Sequence, residues 1–232
     1  MNWTFWKRSK RTLATSGLLR GLTDCHSHLL PGVDDGVRSL DESLQILAEM
    51  ESAGIRKVWL TPHIMEDMPN TTERLRERFA RLQDAYTGPV RLALAAEYML
   101  DNLFAARLEA DDVLPLIEER TYLLVETSCF NPPMGFHALL ERIRSRGYVP
   151  LLAHPERYRY LSLADCRALK DSGTALQVNL PSLAGAYGPE AQKKAEALLK
   201  SGLADLTGND THRLSAFRQA LQAPVHWSSK KS

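Results

Sequence analysis

The sequence has little cysteine and no long apolar run. Its 232 residues include three cysteines, an odd number without regular spacing. This pattern argues against a disulfide framework and indicates a reducing compartment. No stretch approaches the ~20 consecutive apolar residues that cross a bilayer. We therefore expect a cytoplasmic chain without a membrane-spanning helix.

An excess of basic residues is also lacking. The formal net charge is +1, but five of the 29 basic residues lie in residues 1–21, where no acidic residue occurs. The remainder carries 24 basic residues against 28 acidic ones, a net charge near −4. Such a surface is unsuited to following a phosphate backbone, so we expect no nucleic-acid partner.

The first residues differ from the rest in composition. Met1–Arg11 places Trp3, Phe5 and Trp6 ahead of a run of lysine and arginine. Residues 1–20 are thus suited to peripheral contact with an anionic membrane surface, at the inner face of the membrane. The alternative is a terminal tail whose aromatic side chains cover part of the domain. The order of the two residue types argues against a secretory signal.

The hydrophobic pattern predicts one α/β domain. With 44% hydrophobic and 25% charged residues, the composition is typical of a soluble globular protein. Apolar strand-like runs alternate with amphipathic helices about seven times, which indicates a parallel sheet with right-handed crossovers. We find no internal repeat. The predicted organisation is an extension over residues 1–21, a domain over 22–222 and a polar tail over 223–232.

The densest group of chemically active residues is the segment Asp24–Gly36. It reads Asp-Cys-His-Ser-His-Leu-Leu-Pro-Gly-Val-Asp-Asp-Gly. If the apolar run Leu18–Leu22 is a strand, period-two alternation places His26 and His28 on one face, where two neutral imidazoles can chelate a metal ion. The acidic pair after the Pro-Gly turn adds oxygen ligands nearby.

Further ligand-type residues follow apolar runs along the whole chain. In a parallel α/β barrel the carboxyl ends of all strands meet at one mouth, so such residues converge. One metal needs four to six ligands, so the full set suggests two or three divalent metal ions. The nine candidates are His26, His28, Asp35, His63, Glu97, Glu126, His154, Asp210 and His212.

A site with several metals favours hydrolysis. Metal coordination lowers the pKa of water and neutralises phosphoryl oxygens. Arg157, three residues after His154, is well placed to bind a phosphate group with its planar guanidinium.

The Asp24–Gly36 segment closely resembles the opening motif of the polymerase-and-histidinol-phosphatase (PHP) superfamily. It is most similar to the bacterial metal-dependent tyrosine-protein phosphatases encoded with capsule and exopolysaccharide genes. The resemblance spans residues 24–212. It continues in order through Thr61-Pro62-His63, Glu97, Glu126, His154-Pro155-Glu156-Arg157 and Asp210-Thr211-His212.

The resemblance implies a distorted (β/α)7, TIM-like barrel with a trinuclear site, most often Mn, with Fe or Zn as alternatives. One metal would be held by His26, His28, Glu97 and Asp210, a second by Glu97, Glu126 and His154, and a third by Asp35, His63 and His212. Arg157 would bind the substrate phosphate. A second arginine is expected in some members, and here the sequence leaves Arg213 and Arg218 open.

The implied reaction is hydrolysis of phosphotyrosine on protein, by attack of a hydroxide that bridges metals. Arg157, Asp35, His63 and His212 are the predicted catalytic residues. The implied partner is the phosphorylated, tyrosine-rich tail of a bacterial tyrosine kinase that controls polysaccharide export. The oligomeric state is not predicted.

Other functions also have to be considered for this sequence. Thiolate chemistry of the Cys-x5-Arg type is excluded, because six residues after Cys25, Cys129 and Cys166 stand Pro31, Gly135 and Ser172. Cys25 is instead expected to pack as a small apolar group that points away from the metals. A histidinol-phosphate phosphatase, or another small-molecule phosphomonoesterase of the same fold, is the first alternative. A non-catalytic scaffold that binds phosphopeptides is the second.

Overall fold

The structure is a computed structural model, and it describes residues 11–225. Within this range strands and helices alternate along the chain. The strands are β1 (Thr23–Asp24), β2 (Lys57–Leu60), β3 (His63–Ile64), β4 (Arg91–Leu94), β5 (Glu97–Met99), β6 (Leu116–Ile117), β7 (Thr121–Glu126), β8 (Val149–Ala153), β9 (Ala175–Asn179) and β10 (Leu206–Gly208). The helices are α1 (Leu40–Ser52), α2 (Thr72–Ala85), α3 (Asn102–Glu109), α4 (Phe136–Ser145), α5 (Leu163–Asp171), α6 (Leu180–Leu183), α7 (Pro189–Lys200) and α8 (Leu214–Gln222), with a 3-10 turn at Pro155–Arg157.

The strands form two parallel ladders that meet. One ladder has the order β1-β2-β4, and the other has the order β10-β9-β8-β7-β5-β3, with β6 antiparallel to β7. Because β3 follows β2 and β5 follows β4 after short breaks, the parallel part consists of seven chain segments. This confirms the predicted α/β class with a parallel sheet.

The first and last of these segments are also hydrogen-bonded to each other. Cys25 N donates to Thr207 O at 3.1 Å, and His28 N donates to Thr211 O at 3.0 Å. A single parallel bridge joins Ser27 and Thr211. These contacts connect both ends of the strand path, as a barrel requires, and they place residues 26–28 beside residues 210–212.

Buried apolar side chains form two clusters, a small one among the strands and a larger one between the strands and the helices. Tyr122, Leu124 and Glu126 alternate along β7 and so share one face. The first two belong to a small buried cluster with Cys25, Trp59 and Leu151. A larger cluster, which includes Ile46, Leu75 and Phe217 of helices α1, α2 and α8, packs the helices against the strands. The polar strand ends are therefore held above a packed apolar base.

The segment before β1 is part of the packed domain. Leu13 and Leu19 are fully buried, Leu13 N donates to Ala223 O, and Val225 N donates to Arg11 O. The described part of the predicted extension, residues 11–21, therefore contributes to the core, and so does Val225 of the predicted tail. The proposed membrane-contacting aromatic residues lie outside the described residues, as do residues 226–232.

Two local predictions need correction. The run Leu18–Leu22 does not form a strand: its backbone turns, with Gly17 and Gly21 at φ of 86° and 76°. The histidine pair therefore follows the two-residue strand β1 instead. In addition, His63 and Glu97 begin the short strands β3 and β5, because the chain breaks its ladder at Thr61-Pro62 and at Ala95-Ala96.

Candidate metal centre

All nine residues predicted as metal ligands lie in one continuous cluster. They form four overlapping groups, in each of which the potential ligand atoms lie within 4.8 Å of one another. The groups are His28-Asp35-His63-His212, His26-His28-Asp210, His26-Glu97-His154 and His63-Glu97-Glu126. Strand ends that are distant in sequence thus meet at one edge of the sheet, as expected for a parallel barrel.

Glu97 lies at the centre of the cluster. Its Oε2 atom is 3.1 Å from His26 Nε2, 3.3 Å from His28 Nε2 and 3.2 Å from His63 Nδ1. Its Oε1 atom is 3.1 Å from His154 Nε2. One buried carboxylate therefore faces four imidazoles, the position that the resemblance gives to a bridging ligand.

A second carboxylate, that of Asp210, completes the inner group. Asp210 Oδ1 is 3.4 Å from His26 Nε2 and 3.5 Å from His28 Nε2. The two Nε2 atoms are themselves 3.1 Å apart. This is the group His26-His28-Asp210 that the resemblance places on one metal together with Glu97.

The outer group is more exposed. Asp35 Oδ1 is 3.6 Å from His63 Nε2 and 3.4 Å from His212 Nε2, and the Asp35 side chain is 61% exposed. The imidazole of His212 stacks on that of His28, with ring centroids 4.0 Å apart. Asp35 and His212 therefore lie on the solvent side, from which a substrate would approach, whereas His63 is buried.

Glu126 groups differently from the set that the resemblance implies. Its Oε1 atom is 3.1 Å from His63 Nδ1, whereas its Oε2 atom is 3.7 Å from His154 Nε2. The geometry thus places Glu126 between the inner and outer groups. Which ion each of the nine residues holds remains a prediction.

Unusual backbone geometry occurs at two of these residues. His154 and Asp210 have φ angles of 35° and 51°, a left-handed conformation that costs a non-glycine residue about 1–3 kcal/mol. Close approach also requires glycine nearby. A Cβ atom on Gly208 would lie 2.6 Å from His26 Cβ, and one on Gly36 would lie 2.2 Å from His28 O. Strain and close packing together bring the ligand-type side chains to one point.

Three buried side chains orient the ligand-type residues, and the sequence prediction did not include them. Gln177 Oε1 is 2.9 Å from His26 Nδ1, and Asp34 Oδ2 is 2.9 Å from His28 Nδ1. Asn179 Nδ2 donates to Asp210 Oδ2 at 2.8 Å. Asp34 lies in the motif, but nothing in the sequence pattern distinguishes it from Asp35. Gln177 and Asn179 alternate on β9 towards the mouth, which is a usable but weak signal.

The charges in the cluster depend strongly on one another. Burial lowers the pKa of His26, but the carboxylates of Glu97 and Asp210 outweigh it and raise that pKa to about 9. Burial likewise raises the pKa of Glu97 and Asp210, and the facing histidines hold both values well below the usual range. The carboxylates of Glu97 and Asp210 are therefore ionised, as metal ligands must be.

The donor set fits divalent cations. The Nδ1 atoms of His26 and His28 face the acceptors Gln177 Oε1 and Asp34 Oδ2, so a neutral ring at either position keeps its proton on Nδ1 and offers its Nε2 lone pair to an ion. The carboxylates around these rings require positive charge beside them; protons on the imidazoles supply it at the raised pKa of His26, and a bound cation would supply it in their place. Moreover, the contacts of His63 Nδ1 and Glu97 Oε2 at 3.1–3.3 Å lack hydrogen-bond geometry, so neither buried atom has a hydrogen-bond partner among residues 11–225. Mixed imidazole and carboxylate ligands suit Mn, Fe or Zn.

Arg157 lies at the edge of the cluster. Its Nη1 atom donates to Asp210 Oδ2 at 3.0 Å, and its guanidinium lies 4.7 Å from the ring centroid of Tyr187. The hydroxyl of Tyr187 also donates to Asp210 Oδ2 at 3.0 Å. The planar guanidinium is thus held beside the ligand-type carboxylate and is about 30% exposed.

The structure separates the two candidates for a second arginine. Arg213 donates to Gly36 O and His212 O, which places it next to the outer group. Arg218 instead forms an ion pair with Glu49 of α1, at 2.7 Å, on the outside of the domain.

Cys25 has the environment expected from its sequence position. The side chain is buried in the small apolar cluster with Trp59 and Leu124. Burial raises the pKa of its thiol above the ordinary value, which disfavours a thiolate nucleophile.

Comparisons with known proteins agree with this geometry. A sequence profile described as "Capsular polysaccharide synthesis, CpsB/CapC" matches residues 22–232. The chain is 30% identical over 223 residues to the tyrosine-protein phosphatase CpsB of Streptococcus pneumoniae, covering 90% of each chain. It is 24% identical over 199 residues to the tyrosine-protein phosphatase YwqE of Bacillus subtilis (strain 168), covering 83% of this chain and 78% of that protein.

Solved structures show the same likeness. One chain, reported under "Crystal structures of YwqE from Bacillus subtilis and CpsB from Streptococcus pneumoniae, unique metal-dependent tyrosine phosphatases", has a TM-score of 0.77 at 25% identity. The match covers 86% of this chain and 85% of that chain. A histidinol phosphate phosphatase from Lactococcus lactis matches at a TM-score of 0.54 and 14% identity, over 86% of this chain and 91% of that chain, which shows a shared fold alone.

Proposed function

The chain belongs to the CpsB/CapC family of capsular polysaccharide synthesis, and on this premise we propose that it is a metal-dependent phosphatase that hydrolyses phosphotyrosine on proteins. The observation that carries the proposal is the convergence of nine imidazole and carboxylate side chains around Glu97. Curated relatives that cover most of the chain are named tyrosine-protein phosphatases, which supports the same reaction.

We assign the nine residues to two or three divalent ions, with Mn as the expected metal. When bound, such ions supply Lewis acidity, neutralise phosphoryl oxygens and lower the pKa of water. The inner residues His26, His28, Glu97 and Asp210 would fix the ions from below. The outer residues Asp35, His63 and His212 would face the substrate.

The part of the protein's own side chains in the reaction is to bind the substrate phosphate. Arg157 offers a planar fork that matches two phosphate oxygens. We propose that Arg213, rather than Arg218, assists it, since Arg213 lies beside His212 while Arg218 pairs with Glu49. A tyrosyl oxygen has a pKa near ~10, so it departs with little help from an acid.

The proposed substrate is a phosphorylated, tyrosine-rich tail of a bacterial tyrosine kinase. Support comes from the family's connection with capsule synthesis and from a site in which Asp35 is exposed and His212 is partly exposed to solvent. An exposed mouth suits a flexible peptide, whereas a small metabolite usually occupies an enclosed pocket.

The experiment that tests this function compares substrates on one metal-loaded sample. We expect kcat/KM for a phosphotyrosyl peptide to exceed that for histidinol phosphate by at least tenfold, because the peptide offers more contact area around the same phosphate. A preference for histidinol phosphate would favour the small-molecule alternative instead. Phosphopeptide binding at full affinity after metal removal, without turnover, would favour the scaffold alternative.

We also propose that the first residues contact the inner face of a membrane. No helix within residues 11–225 combines the length and hydropathy that a bilayer crossing requires. Because Leu13 and Leu19 belong to the core, the informative deletion is residues 1–10. It should weaken binding to anionic liposomes and leave turnover of a soluble phosphopeptide unchanged. Equal liposome binding by both forms would contradict this contact.

A further inference from the structure

A cleft opens directly beside the metal centre, between the loop after α6 and helix α8. It has a volume of about 350 Å³, near the lower end of ligand pockets. Two of its lining residues, Asp210 and His212, also belong to the cluster of nine. The cleft is therefore continuous with the place where the substrate phosphate would bind.

The walls of this cleft consist mostly of small apolar side chains. Helix α8 contributes Ala216, Phe217 and Ala220, and the facing loop contributes Ala184 and Ala186. Of these five residues only Phe217 has a large side chain, and that side chain is buried. Flat walls built from alanine leave room for a planar group and offer it no charge, which suits an aromatic ring.

The cleft also contains polar groups at the end near the metal centre. Tyr187 lines it and directs its hydroxyl to Asp210 Oδ2. Thr211, which is 4% exposed, lines it too, and its hydroxyl has no hydrogen-bond partner among residues 11–225.

Phosphate geometry restricts where the rest of the substrate can lie. In phosphotyrosine the ring is attached to phosphorus through a single oxygen, so it must sit immediately beside the bound phosphate. The cleft begins at Asp210 and His212 and meets this condition, and Tyr187, whose ring lies 4.7 Å from the guanidinium of Arg157, lines it.

We propose that this cleft is the aryl subsite of the enzyme, which binds the aromatic ring of the phosphotyrosine. The proposal rests on the phosphatase function proposed above. It identifies Ala216 and Ala186 as specificity-determining residues, since a larger side chain at either position would occupy the space of the ring. Both residues are exposed, so the substitutions should not disturb the core.

The test measures the affinity of the metal-loaded protein for phenylphosphonate and for inorganic phosphate by calorimetry. These probes share the tetrahedral oxyanion group, and only phenylphosphonate carries a ring. Wild type should bind phenylphosphonate about tenfold more tightly than phosphate, the effect of burying one ring. Ala216→Phe and Ala186→Leu should remove this difference and leave phosphate affinity within about twofold of wild type. Ala106→Phe, on the exposed face of α3, is the matched control and should behave as wild type.

Other results would overturn the aryl subsite. They are equal affinities of wild type for the two probes, an unchanged difference in both cleft variants, or an equal loss of both affinities. If the variants weaken binding of a phosphotyrosyl peptide but not of phenylphosphonate, the cleft binds a flanking residue and the proposal is wrong. Because these are binding measurements, they are separate from turnover by wild type, whose absence would refute the phosphatase function itself.

Discussion

We expect Glu97→Gln to abolish most of the activity and to lower the metal content of the purified protein. The substitution keeps the size of the side chain but removes the negative charge that faces His26, His28, His63 and His154 at 3.1–3.3 Å. An amide can offer one oxygen to one ion, whereas the carboxylate has an oxygen for each of two groups. Losing several kcal/mol of charge stabilisation corresponds to a decrease in kcat/KM of roughly 10³-fold or more.

The measurement pairs turnover of a phosphotyrosyl peptide with metal analysis of the same sample. Glu77→Gln is the matched control, because Glu77 lies exposed on α2 and, among residues 11–225, forms an ion pair with the neighbouring Arg81 alone. That variant should retain wild-type metal content and activity. A Glu97→Gln protein that is folded by circular dichroism, fully metallated and fully active would refute the central position of Glu97.

We expect Arg157→Ala to lower kcat/KM by about 10- to 100-fold, mainly through a higher KM. A hydrogen bond to a charged group contributes about 1.5–3 kcal/mol. Arg157 is positioned for such a bond to the phosphate, since its Nη1 atom lies 3.0 Å from Oδ2 of the ligand-type residue Asp210. Arg157→Lys should recover only part of the loss, because lysine retains the charge but not the planar fork. Inhibition by inorganic phosphate should weaken in parallel.

The control for this prediction is Arg218→Ala. Arg218 pairs with Glu49 on the outside of the domain, so its removal should leave KM unchanged. If Arg157→Ala and Arg218→Ala have the same small effect, Arg157 does not bind the substrate phosphate. Arg213→Ala adds a further comparison, since its guanidinium lies beside His212 and its loss should raise KM.

The convergence of the ligand-type residues could be predicted because it follows from one topological rule. His26, His63, Glu97, Glu126, His154 and Asp210 all follow apolar runs, and parallel strands bring their carboxyl ends together. The rule tolerates local errors. The run Leu18–Leu22 is a set of turns, and His63 and Glu97 begin short strands instead of ending long ones. All six ligand-type residues nevertheless lie in the cluster.

The orienting contacts could not be predicted in the same way. Gln177 and His26 are 151 positions apart, and their hydrogen bond depends on the register between β9 and the segment after β1. Asp34 and Asp35 are chemically identical neighbours, and only the turn that ends at Gly36 decides that Asp34 points to His28. Likewise, Glu126 lies 3.1 Å from His63 Nδ1 and 3.7 Å from His154 Nε2. A sequence pattern does not resolve so small a difference in distance.

The packing of residues 11–21 into the core also could not be predicted from the sequence pattern. Residues 11–21 carry basic residues and turn-forming glycines, as an extension would. Nevertheless, Leu13 and Leu19 are buried, and the segment is hydrogen-bonded to the end of α8, where Leu13 N donates to Ala223 O and Ala14 N donates to Leu221 O. Such contacts come from tertiary packing, which short-range periodicity does not encode.

The most direct test of the metal-centre hypothesis is the metal content of the purified wild-type protein by mass spectrometry, together with phosphotyrosyl-peptide turnover before and after chelation. The nine-residue cluster predicts two or three divalent ions per chain. Chelation should abolish turnover, and added Mn should restore it. A protein that contains no metal and whose turnover is indifferent to chelator would contradict the assignment of this cluster as the catalytic site.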